Sequence, residues 1–263
     1  MGTEMILSNR LKWRILLRVL PLTGLFCAAK VGMHTFHLEP WAFDSLTGSL
    51  FGAATFVVAL TLSGTLADYG ASERMPLEIA NAIAAIQDGI TLVAMEHPHI
   101  DPKAIQSTLG QIVTAILGWL REDKAFEAIE QTIAQLTPLL VPLLSINGGI
   151  AFANRIQEEQ ARLRSLTQQM KGNRDTDFLE PAYVLLWLFL GGSIAALLLI
   201  GADRFSENLT VSAFLFTSFL YLLFLIRDLD NPFDYHGRSS VDVDLSVLET
   251  LGDRLHNKQF SGQ

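Results

Sequence analysis

The chain carries one cysteine, Cys27, in 263 residues. That excludes an internal disulfide and any zinc site built on cysteine. Basic charge is scarce too: 19 Lys and Arg stand against 27 Asp and Glu, a formal net charge of −8. A nucleic-acid binder normally presents a basic face, so nucleic acid is not an expected partner. No glycine-rich phosphate loop, Gly-x-Ser-x-Gly elbow or His-Glu-x-x-His pair occurs, and the chain is not expected to be an enzyme. Alternating strand patterns and internal repeats are missing as well.

What is there is largely apolar. Half of the residues are hydrophobic, 17% are charged, and the mean hydropathy is +0.33. Such a balance fits several membrane spans joined to a soluble part. Three runs, residues 45–67, 181–202 and 208–226, have the length for a bilayer crossing, which takes about 20 apolar residues. Charges bound each run: Asp44 and Asp68, Glu180 and Asp203, Glu207 and Arg227. A fourth candidate is 15–33, where Arg18 and Lys30 lie near the ends and are expected to snorkel to the headgroups. Ala28-Ala29 is only a faint cleavage signal, so this run reads as a retained anchor with Cys27 as a buried thiol.

Lys and Arg set the expected orientation. Arg10, Lys12, Arg14 and Arg18 precede or open the first run, the loop 31–44 has no Lys or Arg, and 203–207 has only Arg204. The positive-inside rule puts the N-terminus in the cytoplasm and the two short loops outside. With four spans, the segment 68–180 and the C-terminal tail are cytoplasmic too. The expected fold is all-α: four transmembrane helices in two hairpins with a cytoplasmic helical domain. The expected divisions are 1–67, 68–180, 181–226 and an acidic tail over 227–263.

One segment challenges that count. Residues 131–154 carry no charge, but Pro138, Pro142, Gly148, Gly149, Gln131, Gln135 and Asn147 interrupt them. They read as a buried helix, or one lying against the membrane face, and not as a fifth span. Helix formers over 69–96 continue the second span. Asp101-Pro102 signals a helix start, and Ile105, Leu109, Ile112, Ile116 and Leu120 mark its apolar face. A third cytoplasmic helix is expected from about Asp123, and a fourth over 151–170.

Three constellations bear on chemistry. His34 with His37, and Glu96 with His97 and His99, are short of a metal site's three or four ligands and read as loop or capping residues. The tail offers Asp228, Asp230, Asn231, Asp234, Asp242 and Asp244, oxygen ligands of the kind Ca²⁺ takes, without the glycine and terminal glutamate of an EF-hand loop. The plainer reading is a polar turn at the membrane boundary, stiffened by Pro232 and anchored by Phe233, with no cofactor. The second span carries the small or weakly polar residues Ser49, Gly52, Ala53, Thr55, Ala59, Ser63 and Gly64, with Phe56 and Leu60 four apart. Small residues commonly mark tight helix packing, and they also line pores with an apolar constriction. Neither later span holds a charge, so an ion path would lie on an axis between subunits.

The tail resembles that of the bestrophin family and the bacterial bestrophin-like membrane proteins. Asp230-Asn231-Pro232-Phe233 is similar to the family's acidic Asp-Pro-Phe motif, and Asp244-Leu245 with Asp242 resembles the Asp-Leu segment that follows it. The basic Lys12-Trp13-Arg14 entry and the order of hairpin, long helices and hairpin are similar too. So is the exit from the second span through Ala67-Asp68-Tyr69-Gly70-Ala71-Ser72-Glu73-Arg74. The resemblance implies a pentameric ion channel, with the bilayer and copies of itself as partners; chloride or bicarbonate is the first expectation for the ion, while the net acidic segment 68–180 fits a cation-conducting vestibule as well. It assigns Phe56, Leu60 and either Ser63 or Gly64 to a narrow neck, and it equates the acidic tail with the calcium clasp of animal members. Asn231 stands where the family usually has an acid, which argues against calcium gating. The alternative is a non-conducting membrane scaffold or sensor that binds partners through its cytoplasmic helices.

Overall fold

The computed structural model describes residues 2–98, 100–175, 180–233, 235 and 241–260. They are helical almost throughout. The helices are α1 (Gly2–Thr35), α2 (Ser45–Glu96), α3 (Lys103–Glu122), α4 (Glu127–Ala134), α5 (Leu136–Leu139), α6 (Gly149–Asp175), α7 (Glu180–Leu199), α8 (Phe205–Asp230) and α9 (Ser246–Phe260), with a 3₁₀ turn over Val141–Ser145. The described extended backbone pairs once, Trp41 beside Ile200. Trp13–Thr35, α2 and α8 are long and apolar enough to cross a membrane, and Tyr183–Leu199 is a shorter apolar helix. The chain is an integral, multi-pass membrane protein.

Internal contacts divide the chain into two units. The first comprises Met1–Tyr69, Asp177–Asn231 and Gly237–Val241; the second comprises Gly70–Thr176, Pro232–His236 and Asp242–Gln263. In the first, α1 packs along α8, and α7 touches both. Phe26 stacks on Phe216 with ring centroids 4.4 Å apart, and Leu197 joins them. The Thr23 and Thr217 hydroxyls lie 2.9 Å apart and tie α1 to α8. Ala54 and Val58 bury one side of α2 against Leu186, Leu190, Phe219, Leu223 and Ile226. A small residue at 54 lets backbones approach closely.

The second unit has an aliphatic core. Ile79, Ile83, Ile86, Ile90 and Val93 of α2 are fully buried, and their spacing follows the turn of a helix. The predicted face of α3 is buried throughout, Ile105 to Leu120, and α3 packs on α9. Asp123 ends α3 in the left-handed conformation at φ 50°, and the Lys124 N–H that follows donates to the Gly118 carbonyl at 3.4 Å. Aspartate is among the few non-glycine residues that visit this region.

The structure alters four local expectations. Residues 131–154 are not one helix: α4, α5, the 3₁₀ turn and a glycine bend at Gly148 (φ 74°) divide them. Pro138 and Pro142 cannot donate in a continuing helix, which accounts for the division. Ile133, Leu136, Leu140 and Leu143 are buried, while Val141, Leu144 and Ile150 remain exposed. The third expected helix starts at Glu127 rather than near Asp123, and the fourth spans Gly149–Asp175 rather than 151–170. Lys30 does not snorkel; it is fully buried.

Candidate functional site

Two aligned residues begin α2. The Thr47 N–H donates to Asp44 Oδ1 at 2.8 Å, and the Asp44 N–H donates to Thr47 Oγ1 at 2.9 Å. This reciprocal cap satisfies donors that a helix start would leave open. The same bonds hold the Asp44 carboxyl below its ordinary pKa. A cavity of about 690 Å³ lies at this end of the helix, lined by Pro40, Trp41, Leu46, Ser49 and Leu50 among others.

From this cap α2 runs unbroken for 52 residues. Phe56 is 68% exposed and Leu60 is 65% exposed; Ser63 is also exposed and Gly64 is half-buried. Phe56, Leu60 and Ser63 recur at four and three residues and so share one face. Ala54 and Val58 point into the packed side. The sequence-assigned neck residues therefore sit together on a face that the single chain leaves open, where two large apolar side chains meet no core.

The described residues of the acidic tail lie in α8, in the turn after it and at the start of α9. Asp228 and Asp230 lie within α8, whose last residue is Asp230. Asp230 accepts a hydrogen bond from the Tyr183 hydroxyl at 3.0 Å. Asn231 follows the helix, Pro232 and Phe233 form a turn, and Phe233 is fully buried. The Val243 N–H donates to the Pro232 carbonyl at 3.0 Å, and the Tyr235 hydroxyl donates to the Val243 carbonyl at 2.8 Å. Asp244 accepts from the Ser246 N–H at 2.9 Å and the Ser246 hydroxyl at 2.8 Å. Those bonds cap α9 and lower the Asp244 pKa. Asp242 is exposed; Asp234 lies outside the described residues, as does His99. Among the described residues, no three His, Cys, Asp or Glu side chains come together as a metal site.

No family profile matches the sequence, and no curated protein matches it either. Solved structures do match. Three single-site variants of a bacterial bestrophin homolog from Klebsiella pneumoniae superpose with TM-scores of 0.74, 0.74 and 0.72. Sequence identities are 14%, 15% and 15%, and each match covers 95% of this chain and 100% of the other. The chain has the bestrophin fold. The resemblance read from the tail motif is thus borne out in three dimensions over nearly the whole chain.

Apart from the exposed α2 face, this bestrophin-like chain holds a charged cluster that sequence reading missed. Lys30 Nζ lies 2.9 Å from Glu39 Oε1. It donates to the Leu198 carbonyl at 3.3 Å and makes a shorter bond to the Ile200 carbonyl. Glu39 is only 9% exposed, and its Oε2 lies 2.8 Å from His34 Nδ1. The His34 ring stacks on Phe205 with centroids 3.9 Å apart, so His34 belongs to this cluster. Burial raises the Glu39 pKa, but the hydrogen bonds and charges of Lys30 and His34 outweigh it and leave the carboxyl below its ordinary value. The signal in the sequence was a lysine inside an apolar run with a glutamate nine positions on. Nothing in that spacing showed that the carbonyl ends of α7 would meet it.

Proposed function

We propose that this chain is the subunit of an oligomeric ion channel, a homopentamer that passes small anions such as chloride or bicarbonate. The α2 face bearing Phe56, Leu60, Ser63 and Gly64 lines its pore. The exposed Phe56–Leu60–Ser63 face, on the side of α2 turned away from the packed Ala54 and Val58, carries this reading. An apolar face at membrane depth can meet lipid or another subunit; copies arranged about an axis would bring five such faces together. An apolar constriction of that kind gates by dewetting. The shared bestrophin fold and the family resemblance of the tail support the same assembly. The four spans form two hairpins with both termini in the cytoplasm. Residues 68–180 and the 227–263 tail form the cytoplasmic part. Asp228, Asp230, Asn231, Pro232, Phe233, Asp242 and Asp244 make a structural belt there rather than a calcium site.

Flux tests this directly. Purified protein in liposomes is expected to pass chloride down a gradient; intact oligomers that pass neither chloride nor potassium would leave the scaffold reading in its place. Phe56→Ala and Leu60→Ala are expected to change unitary conductance on the order of twofold or more, because each shortens a side chain at a constriction. If they instead abolish assembly with no conducting species, the face packs and does not line a pore.

A further inference from the structure

We propose that Lys30 and Glu39 are a positioning pair that fixes the first turns of α2 and thereby sets conduction through the α2-lined path. The inference rests on the channel reading for its consequence and on geometry alone for its mechanism. Lys30 is fully buried, and Glu39 nearly so. A buried ammonium costs free energy unless a carboxylate and hydrogen bonds surround it, and here Glu39 and the Leu198 and Ile200 carbonyls do so. Two further links continue along the same strand of chain. The Trp41 N–H donates to the Leu199 carbonyl at 3.2 Å, and the Gly201 N–H donates to the Trp41 carbonyl at 2.8 Å. Three residues later Asp44 caps α2. The corner after α7 is therefore stitched to residues 39–44 by an ion pair, a short backbone pairing and a cap.

The fit at this corner is close. A Cβ placed on Gly201 would lie 3.1 Å from Glu39 Cβ, so the glycine makes room for the glutamate. Asn208 of α8 adds a hydrogen bond to the Ile200 carbonyl at 3.0 Å, on the acceptor that Lys30 also uses. The nearby charged pair at the start of α8, Arg204 with Glu207 at 2.9 Å, is exposed and satisfied by itself. Lys30 thus depends on Glu39 for its counter-charge among the described contacts. An apolar pair would fill this space with no charge to bury. What the ion pair adds is direction: a buried ammonium accepts partners only where oxygens are fixed, so residues 39–44 have one seat.

The test uses the full chain in lipid nanodiscs and planar bilayers. The variants are Glu39→Gln and the double variant Lys30→Met with Glu39→Met. The double variant removes both charges and keeps apolar bulk, so it is expected to fold even if the single one does not. Hydrogen exchange of the backbone amides over 39–50 is expected to speed up about tenfold in the double variant, because local opening sets that rate. Unitary conductance or open probability is expected to change about twofold or more. A merely structural pair would reduce the yield of oligomers while leaving exchange over 39–50 and the unitary properties of the survivors at wild-type values, and that outcome overturns the proposal. Faster exchange with unchanged conductance overturns its functional half. Faster exchange in a protein whose wild type conducts nothing overturns the channel reading and leaves the positioning role standing.

Discussion

Asp244 shows how a residue that suits one chemistry is occupied by another. Its carboxylate reads in sequence as a calcium ligand, yet its oxygens hold the Ser246 N–H and hydroxyl at the start of α9. A group with a lowered folded pKa contributes stability above its unfolded pKa and loses it as pH falls through the folded value. Asp244→Ala is expected to lower stability by about 1 kcal/mol at neutral pH, the usual worth of a cap. The difference in melting temperature between wild type and variant should hold from neutral pH to mildly acidic pH. It should close as pH falls below the ordinary aspartate range. A gap that persists there would show that the bonds act independently of charge. Lys30 is the opposite case: a residue assigned to the lipid boundary that the fold encloses, because its partners lie far along the chain.

Helices were legible where one residue pattern decided them. The apolar face of α3 from Ile105 to Leu120 was readable because each contact recurs at three or four residues, and all five are buried. The continuity of α2 past Tyr69 was readable from its helix formers. The region after Glu127 was not, because Pro138 and Pro142 compete with an apolar run that by itself favours a helix. Within α2, Ile86 is fully buried in the second unit. Ile86→Ala is expected to cost about 2–5 kcal/mol, the range for deleting a large aliphatic side chain from a packed core. Thermal unfolding in detergent followed by circular dichroism checks it. A loss under about 1 kcal/mol would mean that the core collapses around the gap.

On the scale of the whole molecule, the membrane character and the family-like fold were both open to sequence reading. The first followed from long uncharged runs, and the second from a short motif after the last of them. Neither depended on close identity, which is only 14–15% to the variants of the bacterial bestrophin homolog. The candidate pore face was only half legible. The spacing of Phe56, Leu60 and Ser63 gave a shared face, but sequence could not tell packing from an opening, because both use small residues. The exposure of Phe56 and Leu60 in one chain sharpens the question to what covers them. Mass measurement in detergent or nanodiscs is expected to give a pentamer. A monomer or dimer as the sole species would remove a central pore.

The buried lysine also bears on how the protein is made. Its carbonyl partners lie 168 and 170 residues further along the chain, so α1 leaves the ribosome long before they exist. Glu39 is the partner that emerges early. Until α7 is made, the ammonium has a counter-ion but an incomplete shell of acceptors. The first membrane segments therefore cannot reach their final packing on their own. Arrival of α7 completes the burial of Lys30, and this couples the folding of α1 to that of a helix made much later.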